Sequence, residues 1–325
     1  MNLAEQLKGR IAAEGPIGVD EFMAAATAHY YATRDPLGAR GDFTTAPEIH
    51  QMFGELVGAA LADAWTRAGR PSAAVYAELG PGRGTLANDA LRVMRRAGFE
   101  GDVHLVDTSP VLRAAQEALT PESQFHDDVS ELPPVPLLLV ANEFFDALPI
   151  KQWVGDVERR VDLADDRLAF TIDGPIRETS PVRDETATRL ADHLAAHGGA
   201  AIIIDYGYAG GEQGDTLQAV SGHRFADPLE EPGDQDLTAH VDFAALAEAA
   251  TAAGASVSRV TSQGTWLETL GIGARAMALA AKNPADTESI ATARRRLCDE
   301  GQMGRLFKVM ALTGKGWPAV AGLEP

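Results

Sequence analysis

From Pro71 onward, short apolar runs alternate with amphipathic stretches. Strands are predicted over 73–79, 103–107, 136–142, 200–205, 255–261 and 306–313, with a weaker one at 123–126, and helices over 85–97, 110–119, 183–197 and 242–253. This alternation is typical of an α/β fold whose mostly parallel sheet carries helices on both faces. No crossover helix separates the turn at 301–304 from the last strand, so that strand is expected to pair antiparallel.

The sequence before this alternation is mostly helical in pattern. Amphipathic stretches cover 3–13 and 20–31, with Asp20 as the predicted N-cap of the second, and a third helix is predicted from about Pro47 to Ala68. We therefore predict an N-terminal helical segment over 1–70 that packs on the core of an α/β domain over 71–325. Two insertions are expected in that domain: about 151–182, with a β-hairpin within 151–173, and a helical one at about 268–303.

Composition restricts the partners and the location of this chain. Its net charge of −19 opposes nucleic-acid binding and would attract a basic peptide. No run approaches the roughly 18–20 apolar residues of a membrane helix, so no membrane insertion is expected. The N-terminus lacks the features of a secretion signal, which predicts a cytoplasmic protein. The single cysteine, Cys298, excludes an internal disulfide and is expected to be an inert thiol.

A glycine-rich turn follows the first predicted strand of the sheet. It contains Glu78, Gly80, Pro81, Gly82 and Gly84, with the spacing Gly-x-Gly-x-Gly, whereas the dinucleotide fingerprint is Gly-x-Gly-x-x-Gly. The shorter spacing, with a carboxylate two residues before the first glycine, suits a ligand that carries a ribose and a cation but no phosphate. S-adenosylmethionine is such a ligand, so the turn indicates a methyl transfer enzyme. The alternative for the glycines is a tight turn without a ligand.

Acidic residues at the next strand ends fit the same ligand. Glu78 is expected to meet the methionyl amino group, although it could instead stabilise the turn. Asp107 is placed to accept the ribose hydroxyls, because Ser109 is available to cap the following helix. Asp127 or Asp128 could accept the adenine amino group, and the alternative for this pair is a solvated loop.

The fourth strand of the core runs into Asn142, Glu143, Phe144, Phe145 and Asp146, where a methyl acceptor would be expected. Asn142, Glu143 and Asp146 are the predicted catalytic residues, since carboxylates orient an amine or a planar cation. One phenylalanine is expected in the core and the other in the wall of the site.

Three further assignments come from single residues. Asp205 with Tyr206 is either a substrate contact or structural, Asp242 is a predicted N-cap, and Thr85 a predicted helix cap. The histidines show no ligand spacing, so no metal site is predicted.

Six segments together resemble the MidA-like family of class I S-adenosylmethionine-dependent methyltransferases. They are GDFTTAPEIHQMFGELVG (41–58), ELGPGRGTL (78–86), NEFFDALPIKQW (142–153), IDYG (204–207), DLTAHVDF (236–243) and TSQGTWLETLGI (261–272). The resemblance implies a Rossmann-like class I methyltransferase fold with a seven-stranded, mostly parallel sheet whose seventh strand is antiparallel. It also implies that the segment with Thr44, Thr45 and Glu48 contacts the cofactor; the alternative for it is a structural connector.

The same family resemblance implies a protein arginine methyltransferase that acts in complex I assembly, on an arginine of a 49 kDa-type respiratory subunit. Two alternatives of other kinds stay open: a small-molecule O- or N-methyltransferase of this fold, and a cofactor-binding assembly chaperone with little turnover. A nicotinamide dehydrogenase is disfavoured by the glycine spacing. The sequence does not decide the oligomeric state, and a homodimer is kept as one option.

Overall fold

The computed structural model describes residues 2–33, 45–211, 214–222 and 224–324. Its helices are Leu3–Glu14 (α1), Val19–Thr33 (α2), Ala46–Ile49 (α3), Met52–Arg67 (α4), Thr85–Arg96 (α5), Pro110–Leu119 (α6), Pro181–His197 (α7), Phe243–Ala252 (α8), Gln263–Thr269 (α9), Ile272–Lys282 (α10), Thr287–Cys298 (α11) and Met303–Leu306 (α12), with 3-10 turns at Val129–Glu131 and Pro284–Asp286.

The strands are Ile17–Gly18 (β1), Val75–Leu79 (β2), Val103–Val106 (β3), Gln124–His126 (β4), Leu137–Asn142 (β5), Lys151–Val154 (β6), Val157–Ala164 (β7), Arg167–Phe170 (β8), Ile176–Thr179 (β9), Gly199–Tyr208 (β10), Gln218–Ser221 (β11), Arg224–Ala226 (β12), Asp236–Thr238 (β13), Val241–Asp242 (β14), Ser256–Val257 (β15), Thr261–Ser262 (β16) and Phe307–Thr313 (β17). The strands and helices predicted from Pro71 onward are confirmed in type and order, except that the strand predicted over 255–261 is two two-residue strands, β15 and β16.

The central sheet has the order β15-β17-β10-β5-β2-β3-β4. The five strands from β10 to β4 are parallel, and β17 runs antiparallel between β10 and the short strands β15 and β16, both of which pair with it. The predicted antiparallel last strand is therefore confirmed. Chain order reverses between β2 and β5, so the polar residues at the ends of these strands converge there.

Alternate residues of the buried strands contact opposite helix layers. In β2, Tyr76 packs in a cluster with α4 and α5, whereas Val75, Ala77 and Leu79 pack in a cluster with α7 and α8. This follows from the period of two residues along a strand. Strands buried on both faces read as continuous apolar runs, which is why the sequence located them well.

The N-terminal helices form a third apolar cluster. Leu3, Leu7 and Ile11 lie on one face of α1 and pack with α2, with Val161 of β7 and with Leu237 of β13. The antiparallel sheet of β1, β7, β6 and β9, with β8 on β7, extends the hairpin predicted within 151–173. The strands β12, β11 and β13 form a further small sheet that the sequence pattern did not indicate.

Two predictions about the N-terminal helices are wrong. Helix α2 begins at Val19 directly after β1, so Asp20 lies in its first turn and pairs with Lys151 at 3.1 Å. The helix predicted from Pro47 to Ala68 is two helices, because His50 adopts extended backbone and its Nδ1 accepts the N–H of Met52 at 3.2 Å. That contact supplies an acceptor to the start of α4.

Candidate functional site

A cavity of about 550 Å³ lies at the carboxyl ends of β2, β3 and β5. Open α/β sheets bind ligands at this edge, next to the point where the strand order reverses. Of the residues predicted to bind cofactor or acceptor, eleven line the cavity: Thr45, Glu48, Glu78, Gly80, Pro81, Gly82, Asp107, Asp127, Asp128, Asn142 and Glu143. Residues on α2 and α7, among them Tyr31 and Thr186, close it from other sides.

The glycine turn requires backbone that other residues rarely adopt. Gly80, Gly82 and Gly84 have φ values of 59°, 55° and 85°. A Cβ on Gly80 would lie 3.0 Å from the Phe144 ring, which lines the cavity. Gly84 does not line the cavity and instead packs against Gln116 as the N-cap of α5. The predicted cap at Thr85 is therefore wrong.

Glu78 is 2% exposed and projects from β2 towards the cavity. The hydroxyl of Tyr76 donates to its Oε2 at 2.6 Å. Burial raises the pKa of Glu78 to about 8, against the smaller lowering effect of that hydrogen bond. A cation placed beside Glu78 would favour its charged form, so the site suits a positively charged group.

Asp107 follows β3 and is fixed on both oxygens. Its Oδ1 accepts the N–H of Ser109 at 2.8 Å, and its Oδ2 accepts from the Gln116 amide at 2.7 Å. Each oxygen keeps a second acceptor position for a ligand hydroxyl. Burial raises the pKa of Asp107. Ser109 caps α6 as predicted, through a hydrogen bond from Leu112 N–H.

The acidic pair after β4 has partners within the protein as well. Asp127 accepts from Arg113 at 2.6 Å, while its own N–H donates to Glu131. Asp128 caps the 3-10 turn, and hydrogen bonds from Ser130 lower its pKa. Both residues line the cavity, so the choice between them stays open.

Asn142 is the last residue of β5, and Glu143 follows it directly. Glu143 Oε1 accepts from Ala46 N–H and from the Asn142 amide, each at 3.1 Å. Burial, followed by the nearby charge of Asp146, raises the pKa of Glu143 to about 8. The backbone of Glu143 is left-handed, with φ 52°, a conformation that is strained for a non-glycine residue and persists only where the surrounding structure holds it. Within the described part of the chain, the buried Oδ1 of Asn142 accepts no hydrogen bond.

Asp146 does not line the cavity. It is 5% exposed, its N–H donates to Asp205 Oδ2 at 3.1 Å, and its carbonyl accepts from Arg183 at 3.0 Å. The prediction that Asp146 contacts the acceptor is therefore not supported by its position. Phe145 is fully buried and Phe144 lines the cavity, which confirms one core ring and one wall ring.

Asp205 is a structural residue, so its interpretation as a substrate contact is wrong. It is fully buried, and its Oδ2 accepts the N–H groups of both Phe145 and Asp146 at 3.0 and 3.1 Å. Its Oδ1 accepts the N–H of Tyr206 at 2.9 Å. Asp205 thereby fixes the turn after β5. Asp242 caps α8 as predicted.

The family resemblance implies that the segment with Thr44, Thr45 and Glu48 contacts the cofactor. The structure describes this segment only in part, because Thr44 lies outside the described residues. Thr45 and Glu48 line the cavity. Glu48 accepts a hydrogen bond from the Thr85 hydroxyl and lies 3.7 Å from Nη1 of Arg83. These contacts join α3 to the glycine turn.

Three findings concern features outside the cavity. Among the described residues, no group of three or more histidine, cysteine or acidic side chains is arranged to hold a metal ion. Burial raises the pKa of Cys298 to about 12, which fits the predicted inert thiol. None of the helices in the described ranges has the length and apolar content needed to span a membrane.

The strand order, the glycine turn and the acidic cavity together define a class I S-adenosylmethionine-dependent methyltransferase. The chain belongs to the family of S-adenosyl-L-methionine-dependent methyltransferases, whose model matches residues 56–176 and 158–261. A Burkholderia thailandensis protein solved with S-adenosyl-homocysteine bound is 28% identical and superposes with a TM-score of 0.88 over 98% of this chain and 93% of its own. The cofactor of this chain is S-adenosylmethionine.

Curated relatives cover nearly the whole chain. The protein arginine methyltransferase NDUFAF7 homolog of Drosophila melanogaster is 34% identical over 96% of this chain and 84% of its own length. The NDUFAF7 protein of Danio rerio is 34% identical over 96% and 86%. Both are named as mitochondrial proteins, and this finding overturns the predicted cytoplasmic location.

Proposed function

We propose that this chain transfers a methyl group from S-adenosylmethionine to an arginine of a protein partner. The observation that carries the proposal is Glu143, a cavity carboxylate held at 3.1 Å by both Ala46 N–H and the Asn142 amide. A carboxylate fixed in this way can receive a planar guanidinium. The relatives named protein arginine methyltransferases support the same acceptor.

Other residues of the cavity fit the cofactor. Glu78 would meet the methionyl ammonium, Asp107 the ribose hydroxyls, Asp127 or Asp128 the adenine amino group, and the turn from Gly80 to Gly82 allows close backbone approach. When bound, the cofactor supplies an electrophilic methyl group. A cavity of about 550 Å³ is large enough for a ligand of drug-like size.

Glu143 would orient the acceptor and take up its proton. The ionised carboxylate accepts N–H groups of the guanidinium, which aligns the attacking nitrogen, and then receives the proton that this nitrogen loses on methylation. Its pKa of about 8 in the free protein lies in the range where a carboxylate can hold and release a proton near neutral pH. Binding of the cationic guanidinium favours the charged form.

Within this proposal, the partner implied by the family resemblance is a 49 kDa-type subunit of respiratory complex I. The net charge of −19 would favour approach of a basic segment carrying the target arginine. Mass spectrometry of that subunit, from cells with and without this chain, tests the partner. If the arginine stays methylated without the chain, this partner is wrong.

Peptide methylation tests the acceptor itself. The purified chain, labelled S-adenosylmethionine and an arginine peptide are compared with the same peptide carrying lysine. We expect label on the arginine peptide alone. In Glu143→Gln, kcat/KM should fall by about 10²- to 10⁴-fold, while the Kd of the cofactor stays within about threefold of the wild-type value. Glu122→Gln, an exposed residue outside the cavity, is the matched control. Equal labelling of the lysine peptide, or full activity of Glu143→Gln, would contradict the proposal.

A further inference from the structure

Phe225 is the most exposed large apolar side chain in the described part of the chain, with 80% of its surface in solvent. It stands in β12, the edge strand of the small sheet β12-β11-β13. A single exposed apolar residue is ordinary on a protein surface. Its meaning therefore depends on what lies beside it in the sheet and on where that sheet leads.

Phe225 belongs to a row of three residues that crosses the small sheet. It lies opposite Val220 of β11, and Val220 lies opposite Asp236 of β13. Directly opposed residues share one face of a sheet. Exposure falls along this row, from Phe225 to the half-buried Val220 and to Asp236, which is 5% exposed. The neighbouring pair, Ala219 and Leu237, packs on the other face in the N-terminal apolar cluster.

The inner end of this row reaches the wall of the cavity. Oδ1 of Asp236 accepts a hydrogen bond from the hydroxyl of Tyr31 at 3.1 Å, and Tyr31 lines the cavity. Neighbouring strands lie about 4.8 Å apart, so the backbones at Phe225 and Asp236 are about 10 Å apart. An extended peptide spans about 10–15 Å with three to five residues. A peptide whose arginine enters the cavity can therefore place a residue about four positions away against Phe225.

The chain around Phe225 favours a basic partner. Over 224–234, the exposed acidic residues are Asp227, Glu230, Glu231 and Asp234. They outnumber the arginines beside them, which are Arg224 and Arg167, the latter paired with Glu230 at 3.1 Å. Arg224 is adjacent to Phe225, so the period of two residues along a strand places it on the opposite face. An exposed aromatic ring binds a lysine or arginine cation, and the stem of such a side chain covers apolar surface.

We propose that the face of the small sheet with Phe225 and Val220 docks the protein substrate, and that Phe225 receives a lysine or arginine side chain about four residues from the methylated arginine. This inference rests on the proposed function, because it takes the occupant to be the segment that carries the acceptor. The net charge of −19 attracts a basic segment from a distance. Contact with Phe225 then sets which arginine of that segment enters the cavity.

Two fluorescent peptides test this spacing. Both consist of glycine and serine with one central arginine and two lysines, and they share length, composition and net charge. In the first peptide, the lysines stand four positions before and after the arginine; in the second, they are its direct neighbours. Fluorescence anisotropy measures the Kd of each peptide for the full chain loaded with S-adenosylhomocysteine. Binding is thereby measured without methyl transfer, and general charge attraction is the same for both peptides.

In Phe225→Ser, the Kd of the four-position peptide should rise about two- to fivefold, the factor that an exposed cation–π contact supplies. The Kd of the neighbour peptide and that of S-adenosylhomocysteine should stay unchanged. Phe225→Trp should retain the tighter binding, because tryptophan is the best ring for a cation, whereas Phe225→Leu should lose most of it. Met277→Ser is the matched control, since Met277 is 71% exposed on α10, outside the small sheet.

Several outcomes would overturn this docking surface. Equal weakening of both peptides in Phe225→Ser would show that Phe225 only supports its hairpin. Unchanged binding of both, or no binding of either peptide to the wild type, would show that the substrate passes elsewhere. Full binding by Phe225→Leu would exclude a cation contact. Failure of the proposed function is distinguishable, because methylation of lysine, or of no residue, contradicts an arginine acceptor without altering these Kd comparisons.

Discussion

The side-chain amide of Gln116 donates hydrogen bonds to Asp107 Oδ2 and to the carbonyl of Gly82, both at 2.7 Å. Gln116 is fully buried on α6 and does not line the cavity. One side chain thus fixes the distance between the glycine turn after β2 and the carboxylate after β3. The two strand ends that are predicted to hold the amino-acid and ribose parts of the cofactor are therefore connected through a residue that neither motif contains.

Replacement of Gln116 by leucine should weaken cofactor binding. Without the amide, Asp107 and the glycine turn lose their common donor, and we expect the Kd of S-adenosylhomocysteine to rise about tenfold. Calorimetry at a fixed pH measures it. Thr120→Val is the control, since Thr120 donates to the backbone carbonyl of Gln116 and does not line the cavity. An unchanged Kd in Gln116→Leu would contradict the positioning role.

Glu78 should make stability depend on pH. Its pKa is about 8 in the folded chain against an ordinary value of 4.5, so the folded state keeps a proton that the unfolded chain loses. Its contribution to stability is fully present below about pH 4.5 and is lost as pH rises through 8, at about 1.4 kcal/mol per pH unit. The free energy of unfolding of Glu78→Gln should therefore increase relative to that of the wild type between about pH 5 and 8.

Urea unfolding at intervals from pH 5 to 9 measures this difference. Tyr76→Phe supplies an internal check, because the Tyr76 hydrogen bond lowers the pKa of Glu78. Removal of this hydrogen bond should raise the pH at which the loss of stability with rising pH ends. A difference between wild type and Glu78→Gln that is the same at every pH would show that Glu78 does not keep its proton in the folded chain.

Asp205→Ala should destabilise the fold. The substitution leaves the buried N–H groups of Phe145 and Asp146 without their acceptor, at a cost of about 2–4 kcal/mol in the free energy of unfolding. Asp205→Asn retains a carbonyl oxygen and should cost less. Urea unfolding measures both. Full stability of Asp205→Ala, with methyl transfer lost, would instead make Asp205 a substrate contact.

Gly58→Ala should destabilise the fold, because α4 and α5 pack closely at this glycine. A Cβ at Gly58 would lie 2.5 Å from the Ala90 carbonyl oxygen and 2.6 Å from its Cα, and backbone cannot move aside cheaply. We expect a loss of about 1–3 kcal/mol in unfolding free energy. Gly9→Ala in α1 is the matched control, since nothing lies within 4 Å of its Cβ position and a helical alanine should stabilise by about 1 kcal/mol. Equal effects of both variants would contradict close helix packing at Gly58.

Sequence reasoning predicted the elements and residues whose signal is local. Buried parallel strands form unbroken apolar runs, Ser109 with Pro110 marks the start of α6, and positive φ at Gly80 and Gly82 follows from a tight turn. It missed Gln116, although a glutamine four residues after Leu112 on the buried face of α6 was a usable signal.

Distant contacts explain the assignments that failed. Asp146 and Asp205 look alike as acids near strand ends, but whether such a residue lines a cavity or accepts buried N–H groups depends on how the turn after β5 packs against β10. Glu48 and Arg83 are 35 positions apart and meet only because α3 packs beside the glycine turn.

The amino-acid sequence by itself determined the α/β class, the strand order along the chain and the acidic, glycine-rich strand ends, because these depend on short-range periodicity and backbone preference. The tertiary structure alone decided which polar groups line the cavity and which form hydrogen bonds with other buried groups of the protein. Hydrogen-bond partners of buried groups come from residues far apart in the chain, and only the packing of β2, β3, β5 and β10 with their helices brings those residues together.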